Sequence, residues 1–131
     1  MSRPFVEIEL KGKRLNTILD TGAWNSYIRR EFAKEFPKAP VEPFEVKLGG
    51  KLLKFKEVSI VTGFVKDTYK RKYCFTELFF EVSDLGEENG RQIDVLLGSG
   101  ILEKWGADID ETVTPPAVDF RTLRKGVLIE L

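Results

Sequence analysis

The sequence contains no histidine, and it has only one cysteine and one methionine among 131 residues. The absence of histidine excludes Ser-His and Cys-His mechanisms and removes the commonest ligand of zinc sites. Because Cys74 is the only cysteine, no intrachain disulfide can form. Any acid–base chemistry must therefore come from carboxylates, lysine or tyrosine.

An excess of one charge and long apolar runs are also missing. Lys plus Arg and Asp plus Glu number 21 each, so no net field favours nucleic acid or an anionic membrane. No apolar stretch is long enough to span a bilayer and no signal-peptide pattern is present, so we expect a cytoplasmic protein with no membrane partner. A 42% hydrophobic fraction can fill one core, which predicts a single domain over residues 1–131.

The first 20 residues have the pattern of a β-hairpin. Apolar and acidic residues alternate over residues 5–10, "KGK" at 11–13 supplies a turn, and "RLNTILD" at 14–20 returns as a second strand. Asp20 therefore lies at the end of an apolar strand, where the chain turns.

A change of period from Ser26 predicts a helix. The apolar positions that recur at every fourth residue are Ile28, Phe32 and Phe36. Asn25 or Ser26 would cap this helix, and Pro37 would end it. The prolines of residues 37–43 then favour an extended segment.

The rest of the chain is rich in short strands. A hairpin is predicted from a strand at 44–48, a turn at Gly49-Gly50 and a returning strand from Leu52 onward. A central strand at 73–82 and a polar loop at 83–92 follow. The remaining predicted elements are a short strand with a Gly-Ser-Gly turn and a helix ending near Gly106, a strand interrupted by Pro115-Pro116, and a last strand at 126–131. Seven or eight short strands and two short helices predict an all-β fold, a mainly antiparallel closed barrel or sandwich.

The segment Asp20-Thr21-Gly22-Ala23 is the main candidate site. An ionised carboxylate at the end of an apolar strand is costly to bury without a partner, so the position needs a reason. One reason is a turn, because Asp, Thr and Gly are common turn residues. The other is catalysis.

Residues 20–23 resemble the active-site loop of aspartic proteases, and the length of the chain makes the retropepsin-like, or retroviral-type, family the match. The order of later elements agrees over residues 5–110. A glycine-containing hairpin at 47–53 follows where the family has its flap, and "VLLGSGIL" at 95–102 is similar to the apolar-apolar-Gly segment before the family's helix. The resemblance implies the retropepsin-like barrel fold.

The resemblance also implies an aspartic endopeptidase in which Asp20, Thr21 and Gly22 form the catalytic loop. Two adjacent carboxylates share one proton, so that one activates a water molecule and the other donates to the scissile carbonyl. The Gly22 N–H can donate to the carboxylate, and the Thr21 hydroxyl is implied to lock the loop across a dimer axis. This mechanism uses a water nucleophile and needs no metal or organic cofactor.

The chain has one Asp-Thr-Gly sequence, so a pair of carboxylates requires a second copy of the chain. We therefore expect a homodimer, with the apolar strand at 126–131 suited to a dimer sheet. Ala23 would leave room for a peptide substrate, and Leu48, Gly49 and Gly50 would close over it. Because the surroundings of Asp20 read as apolar, we expect cleavage of extended, apolar-flanked peptide bonds.

Three features depart from the family's pattern: Trp24 follows the loop, Ser99 stands where a charged residue is frequent, and residues 114–116 have no counterpart. Ser99 puts in question the ion pair that ties this segment to the active-site loop in viral members. Trp24 would narrow a pocket or pack underneath the loop.

Other readings of the sequence lead to different protein classes. The same fold could serve as a non-catalytic dimerisation or peptide-binding module. The basic segment 66–73 reads as a solvated hairpin rather than a nucleic-acid-binding patch, and "LGSG" lacks the P-loop lysine. Asp108, Asp110 and Glu111 read as the wet face of a strand rather than a metal site. Cys74 and Trp105 are expected to pack in the interior.

Overall fold

The computed structural model describes residues 3–126, which form eleven strands and three short helices. The strands are β1 (Phe5–Leu10), β2 (Lys13–Asp20), β3 (Tyr27–Arg29), β4 (Lys38–Leu48), β5 (Lys51–Lys66), β6 (Lys72–Val82), β7 (Glu87–Glu88), β8 (Arg91–Gln92), β9 (Val95–Gly98), β10 (Ala107–Asp110) and β11 (Ala117–Phe120). The helices are α1 (Arg30–Ala33), α2 (Ser99–Trp105) and α3 (Arg121–Lys125). Within these residues, each helix is too short or too polar to cross a bilayer.

Six strands form a closed ring, in the order β1-β2-β9-β3-β6-β5, and β5 pairs back with β1. The β2–β9 and β3–β6 pairs are parallel, and the other four pairs of the ring are antiparallel. The first half of β5 extends beyond the ring and pairs with β4 to make a long hairpin. The prediction of a mainly antiparallel barrel is confirmed, with one helix more and several short strands more than the sequence indicated.

Two clusters of apolar side chains lie on opposite faces of the central strands β2 and β9. Leu19 and Leu97 belong to one cluster, and their neighbours Ile18 and Leu96 belong to the other. Trp105 is 1% exposed in the first cluster, as expected, and its indole N–H donates to Glu77. Since β2 is buried on both faces, the loop after Asp20 starts from a fixed position.

The helix predicted from Ser26 is wrong for its first residues. Tyr27–Arg29 form β3, which inserts between β9 and β6, and the helix covers only Arg30–Ala33. Tyr27 and Ile28 enter opposite clusters, a pattern that suits a strand buried on both faces. Ser26 does not cap this helix, because its hydroxyl accepts a hydrogen bond from the Gly98 N–H.

The later predictions were right in outline and wrong in detail. The loop predicted at 83–92 contains the small β7–β8 hairpin, and Ser99-Gly100 belongs to the first turn of α2 rather than to a turn before it. Of the extended segment predicted at 37–43, residues 38–43 belong to β4, which has a register shift between Pro40 and Phe44. Of the strand predicted at 126–131, residues 127–131 lie outside the described residues, and Gly126 ends α3.

Cys74 is exposed, contrary to the prediction that it is buried. Neighbouring side chains of a strand point to opposite faces, and Phe75 takes the inward position on β6.

The basic segment 66–73 connects β5 to β6 and begins β6. Its Lys66 pairs with Glu7 and its Lys72 pairs with Glu9, so these two basic side chains have acidic partners. On β10, Asp108 and Asp110 are exposed, as expected for the wet face of a strand.

Candidate active site

Asp20 is the last residue of β2 and points into a cleft. Ile18 and Leu19 before it are almost fully buried, whereas the Asp20 side chain is 24% exposed. Thr21 and Gly22 after it are exposed on the surface of the single chain. The strand thus presents one carboxylate, and the beginning of the loop, at the edge of the barrel.

The loop orients the carboxylate through its own backbone. The Gly22 N–H donates to Asp20 Oδ1 over 2.9 Å, and the Ala23 N–H donates to the Asp20 carbonyl over 3.3 Å. The Gly22 hydrogen bond is the one that the sequence suggested. It fixes one carboxylate oxygen, Oδ1, and leaves Oδ2 to other partners.

The two residues that follow the apolar-apolar-Gly segment hold the loop through backbone hydrogen bonds. The Ser99 and Gly100 N–H groups donate to the carbonyls of Ala23 and Trp24, over 2.6 and 3.1 Å. Ser99 therefore contributes its backbone, and the loop is held without the charged residue that is frequent in the family. Trp24 is 66% exposed, so it does not pack underneath the loop.

Gly98 is the point of closest approach between these two segments. A Cβ atom at this position would lie 2.1 Å from the Asn25 carbonyl oxygen, a distance that no side chain can occupy. The Gly98 N–H donates to Ser26 Oγ over 2.9 Å. Glycine is therefore required at position 98, where this segment passes close to the backbone of Asn25.

The tip of the β4–β5 hairpin, where the sequence analysis placed the flap, contributes to the lining of the cleft. Its turn residues Gly49 and Gly50 have φ values of 57° and 83°, which two-residue hairpin turns require and glycine adopts readily. Leu48, Gly49 and Lys51 line the cleft together with Asp20. Gly50 lies at the turn but is not part of the lining.

The cleft has a volume of about 430 Å³ and a mixed lining. Its apolar residues are Leu48, Leu53, Val82, Leu85 and Leu96. Its charged residues besides Asp20 are Arg3, Lys51 and Asp84. The expectation that the surroundings of Asp20 are purely apolar is wrong, because residues distant in sequence bring charges to the rim.

Arg3 makes the main unexpected contact of the site. Its Nη1 atom lies 3.0 Å from Asp20 Oδ2, and its Nη2 atom lies 3.1 Å from Glu88 Oε1. Hydrogen bonds from the Arg3 side chain and backbone lower the pKa of Glu88. No sequence pattern pointed to Arg3 or Glu88, because they are 85 residues apart and meet only in the folded barrel.

The remaining predicted residues lie around the cleft but not in its lining. Ala23 is half-buried and packs against the cluster that contains Ile18. Thr21 lines a separate groove on the side of α2, with Leu102 and Ile109. Among residues 3–126 there is no group of three or more side chains suited to hold a metal ion.

The family model described as "Retroviral aspartyl protease" matches residues 1–110 of the chain. The chain belongs to the retroviral aspartyl protease family. The sequence resemblance had matched three elements of this chain to the family. It matched the Asp20 loop to the active-site loop, the Val95–Gly98 segment to the segment before the helix, and the β4–β5 hairpin to the flap.

The chain is also similar in fold to a solved structure of a retroviral protease-like domain. The retroviral protease-like domain of Ddi1 from Leishmania major matches with a TM-score of 0.55 at 16% identity, covering 91% of this chain and 90% of that one. The foamy viral protease-reverse transcriptase, solved with an RNA/DNA hybrid, matches with a TM-score of 0.47 at 19% identity, covering 79% of this chain and 12% of that one. No curated protein sequence matches the chain significantly.

Proposed function

We propose that this member of the retroviral aspartyl protease family is an aspartic endopeptidase that acts as a homodimer. The observation that carries the proposal is the position of Asp20, a loop-held carboxylate at the end of a buried strand, facing a cleft under a glycine-turned hairpin. Each subunit would supply one Asp20, because the chain has a single Asp-Thr-Gly sequence.

The chemistry follows from two carboxylates that share one proton. The ionised carboxylate takes a proton from water, whose oxygen attacks the carbonyl carbon, while the protonated carboxyl donates to the carbonyl oxygen. Collapse of the resulting diol breaks the C–N bond, and the departing amine takes up a proton. Thr21 and Gly22 are exposed in the single chain, which leaves this edge available to a second copy.

The cleft suits an extended peptide. Its lining offers Val82 and Leu96 to apolar side chains of the substrate, and the β4–β5 hairpin, which carries Leu53, can cover the backbone as a lid. Ala23, Leu48, Gly49 and Gly50 are proposed to contribute to this binding. We propose a preference for apolar residues on either side of the cleaved peptide bond. Charged residues of the substrate would be tolerated where they come near Arg3, Lys51 and Asp84 of the cleft.

The test is cleavage of a mixed peptide library between about pH 3 and 7 by the parent chain and by Asp20→Asn. We expect selective cutting by the parent and a loss of at least about a hundredfold in the variant, the scale of general acid–base catalysis. Glu57→Gln, which removes an exposed carboxylate on β5, is the matched control and should cut like the parent. Sedimentation must show that all three proteins form the same oligomer.

The alternative is a non-catalytic dimerisation or peptide-binding module. The ion pair between Arg3 and Asp20 favours it, because a carboxylate that serves only to hold the N-terminal segment needs no catalytic partner. If the parent and Asp20→Asn bind peptides equally well and neither cuts at any pH, the protease proposal falls and this alternative replaces it.

A further inference from the structure

The N-terminal segment reaches the proposed catalytic carboxylate within one chain. Arg3 Nη1 lies 3.0 Å from Asp20 Oδ2, and the Gly22 N–H donates to Oδ1 over 2.9 Å. Both oxygens of the carboxylate therefore have a donor before any partner or substrate is present.

Arg3 is held in this position by several contacts. Its backbone N–H donates to Glu88 Oε2 over 2.6 Å, and its Nη2 and Nε atoms donate to Glu88 Oε1 over 3.1 and 3.4 Å. The carbonyl of Pro4, the next residue, accepts a hydrogen bond from the Leu19 N–H of β2. The guanidinium is thus fixed between the β7–β8 hairpin and the end of β2.

This ion pair is incompatible with the catalytic state of Asp20. The two carboxylates of an aspartic protease must approach closely and share one proton, whereas a guanidinium at hydrogen-bond distance stabilises a fully ionised carboxylate. It also occupies Oδ2, the carboxylate oxygen that the Gly22 N–H does not bind.

We propose that Arg3 is a self-inhibitory residue, which holds Asp20 as an ion pair in the resting chain and is displaced when the second Asp20 and the substrate enter. The inference rests on the proposed protease function and adds a regulatory contact to it. The arginine then keeps its hydrogen bonds to Glu88, so the N-terminal segment can stay attached while the carboxylate is released.

The test compares peptide cleavage by the parent, Arg3→Gln, Arg3→Lys and Arg91→Gln at one enzyme concentration between about pH 4 and 7. Arg91 on β8 is the matched control, because its guanidinium stacks over the Phe5 ring and makes no contact with Asp20. Arg3→Lys keeps the charge but loses the planar fork that contacts two carboxylates at once. Circular dichroism at each pH verifies that the variants are folded.

We expect Arg3→Gln to cut about tenfold faster than the parent near pH 7, which is the effect of one charge-assisted hydrogen bond. Arg3→Lys should lie between the two, and Arg91→Gln should match the parent. If Arg3→Gln and Arg3→Lys are folded and cut no faster than an active parent, the inference is overturned and the protease function stands. If no protein cuts at any pH, including Arg3→Gln, the protease function itself is refuted.

Discussion

Asp20 and Gly98 are register partners at the ends of the parallel strands β2 and β9. Asp20 presents the carboxylate. Gly98 lies where the loop after Asp20 crosses β9, and there is no room for a Cβ atom at this position. The two strands are buried on both faces, so this pair positions the Asp20 loop relative to the whole barrel.

Replacing Gly98 by alanine should displace the Asp20 loop. A Cβ atom at position 98 would lie 2.1 Å from the Asn25 carbonyl oxygen. Neither the backbone of residue 98 nor that of Asn25 can move freely to relieve this clash. We expect a loss of about 3 kcal/mol or more in the free energy of unfolding, measured by urea denaturation. Gly12→Ala is the control: the φ of 81° at Gly12 costs about 1 kcal/mol, and nothing lies near the added methyl. Equal losses in the two variants would contradict this account.

Replacing Gly49 by valine should impair the hairpin that covers the cleft. A β-branched residue is strained at a φ of 57°, by about 1–2 kcal/mol, so the closed turn becomes harder to form. Because Gly49 lines the cleft, we expect kcat/KM for peptide cleavage to fall about tenfold while the barrel stays folded. Gly12→Val places the same strain in the β1–β2 turn, and a similar fall in that variant would show that general destabilisation is the cause.

Replacing Glu88 by glutamine should make the stability less dependent on pH. The hydrogen bonds from Arg3 lower the pKa of Glu88 below its ordinary value of 4.5, so its contribution is complete above that value and is lost as the pH falls through the lowered pKa. We expect Glu88→Gln to cost less than about 1 kcal/mol at pH 7, since Arg3 is partly solvated, and almost nothing near pH 2. Urea denaturation at both pH values checks the sign, and an equal cost at both would refute it.

Dilution should reduce the specific activity of the parent chain if each site needs two copies of Asp20. We expect activity to fall faster than linearly below the dimer dissociation constant, as measured by sedimentation. Thr21→Ala should shift this fall to higher concentration, because Thr21 is exposed beside Asp20 and its hydroxyl is proposed to bind across the dimer axis. Thr21→Ser keeps the hydroxyl and is the control. Activity that stays proportional to concentration far below the dissociation constant would show that a single chain is active and would refute the shared pair of Asp20 carboxylates.

Much of the site could be read from local patterns. Alternation over residues 5–10, a turn at 11–13 and an apolar strand ending at Asp20 are local signals, and the structure has β1 and β2 there. The Gly49-Gly50 turn was visible in the same way, because the left-handed conformation of a tight hairpin favours glycine. The family resemblance then connected these segments to the Val95–Gly98 segment.

The prediction failed where distant strands decide the conformation. Ile28 begins a helical spacing with Phe32 and Phe36. Tyr27 and Ile28 nevertheless pair with β9 and β6 and enter the two apolar clusters, so this part of the chain is a strand. Cys74 was expected inside, but the register of β6 gives that side to Phe75. Periodicity within one segment does not include the strands that come to lie beside it.

The sequence by itself determined the class of the protein: a β-rich chain without histidine, carrying one Asp-Thr-Gly loop at a strand end, a glycine-turned hairpin and an apolar-apolar-Gly segment. These features depend on turn chemistry and on neighbours a few residues apart, so they can be recognised from the sequence. Only the tertiary structure decided that Arg3 and Glu88 meet at Asp20, that charges line the cleft rim, and that β3 is a strand. These contacts join residues far apart in sequence, and closure of the barrel brings them together.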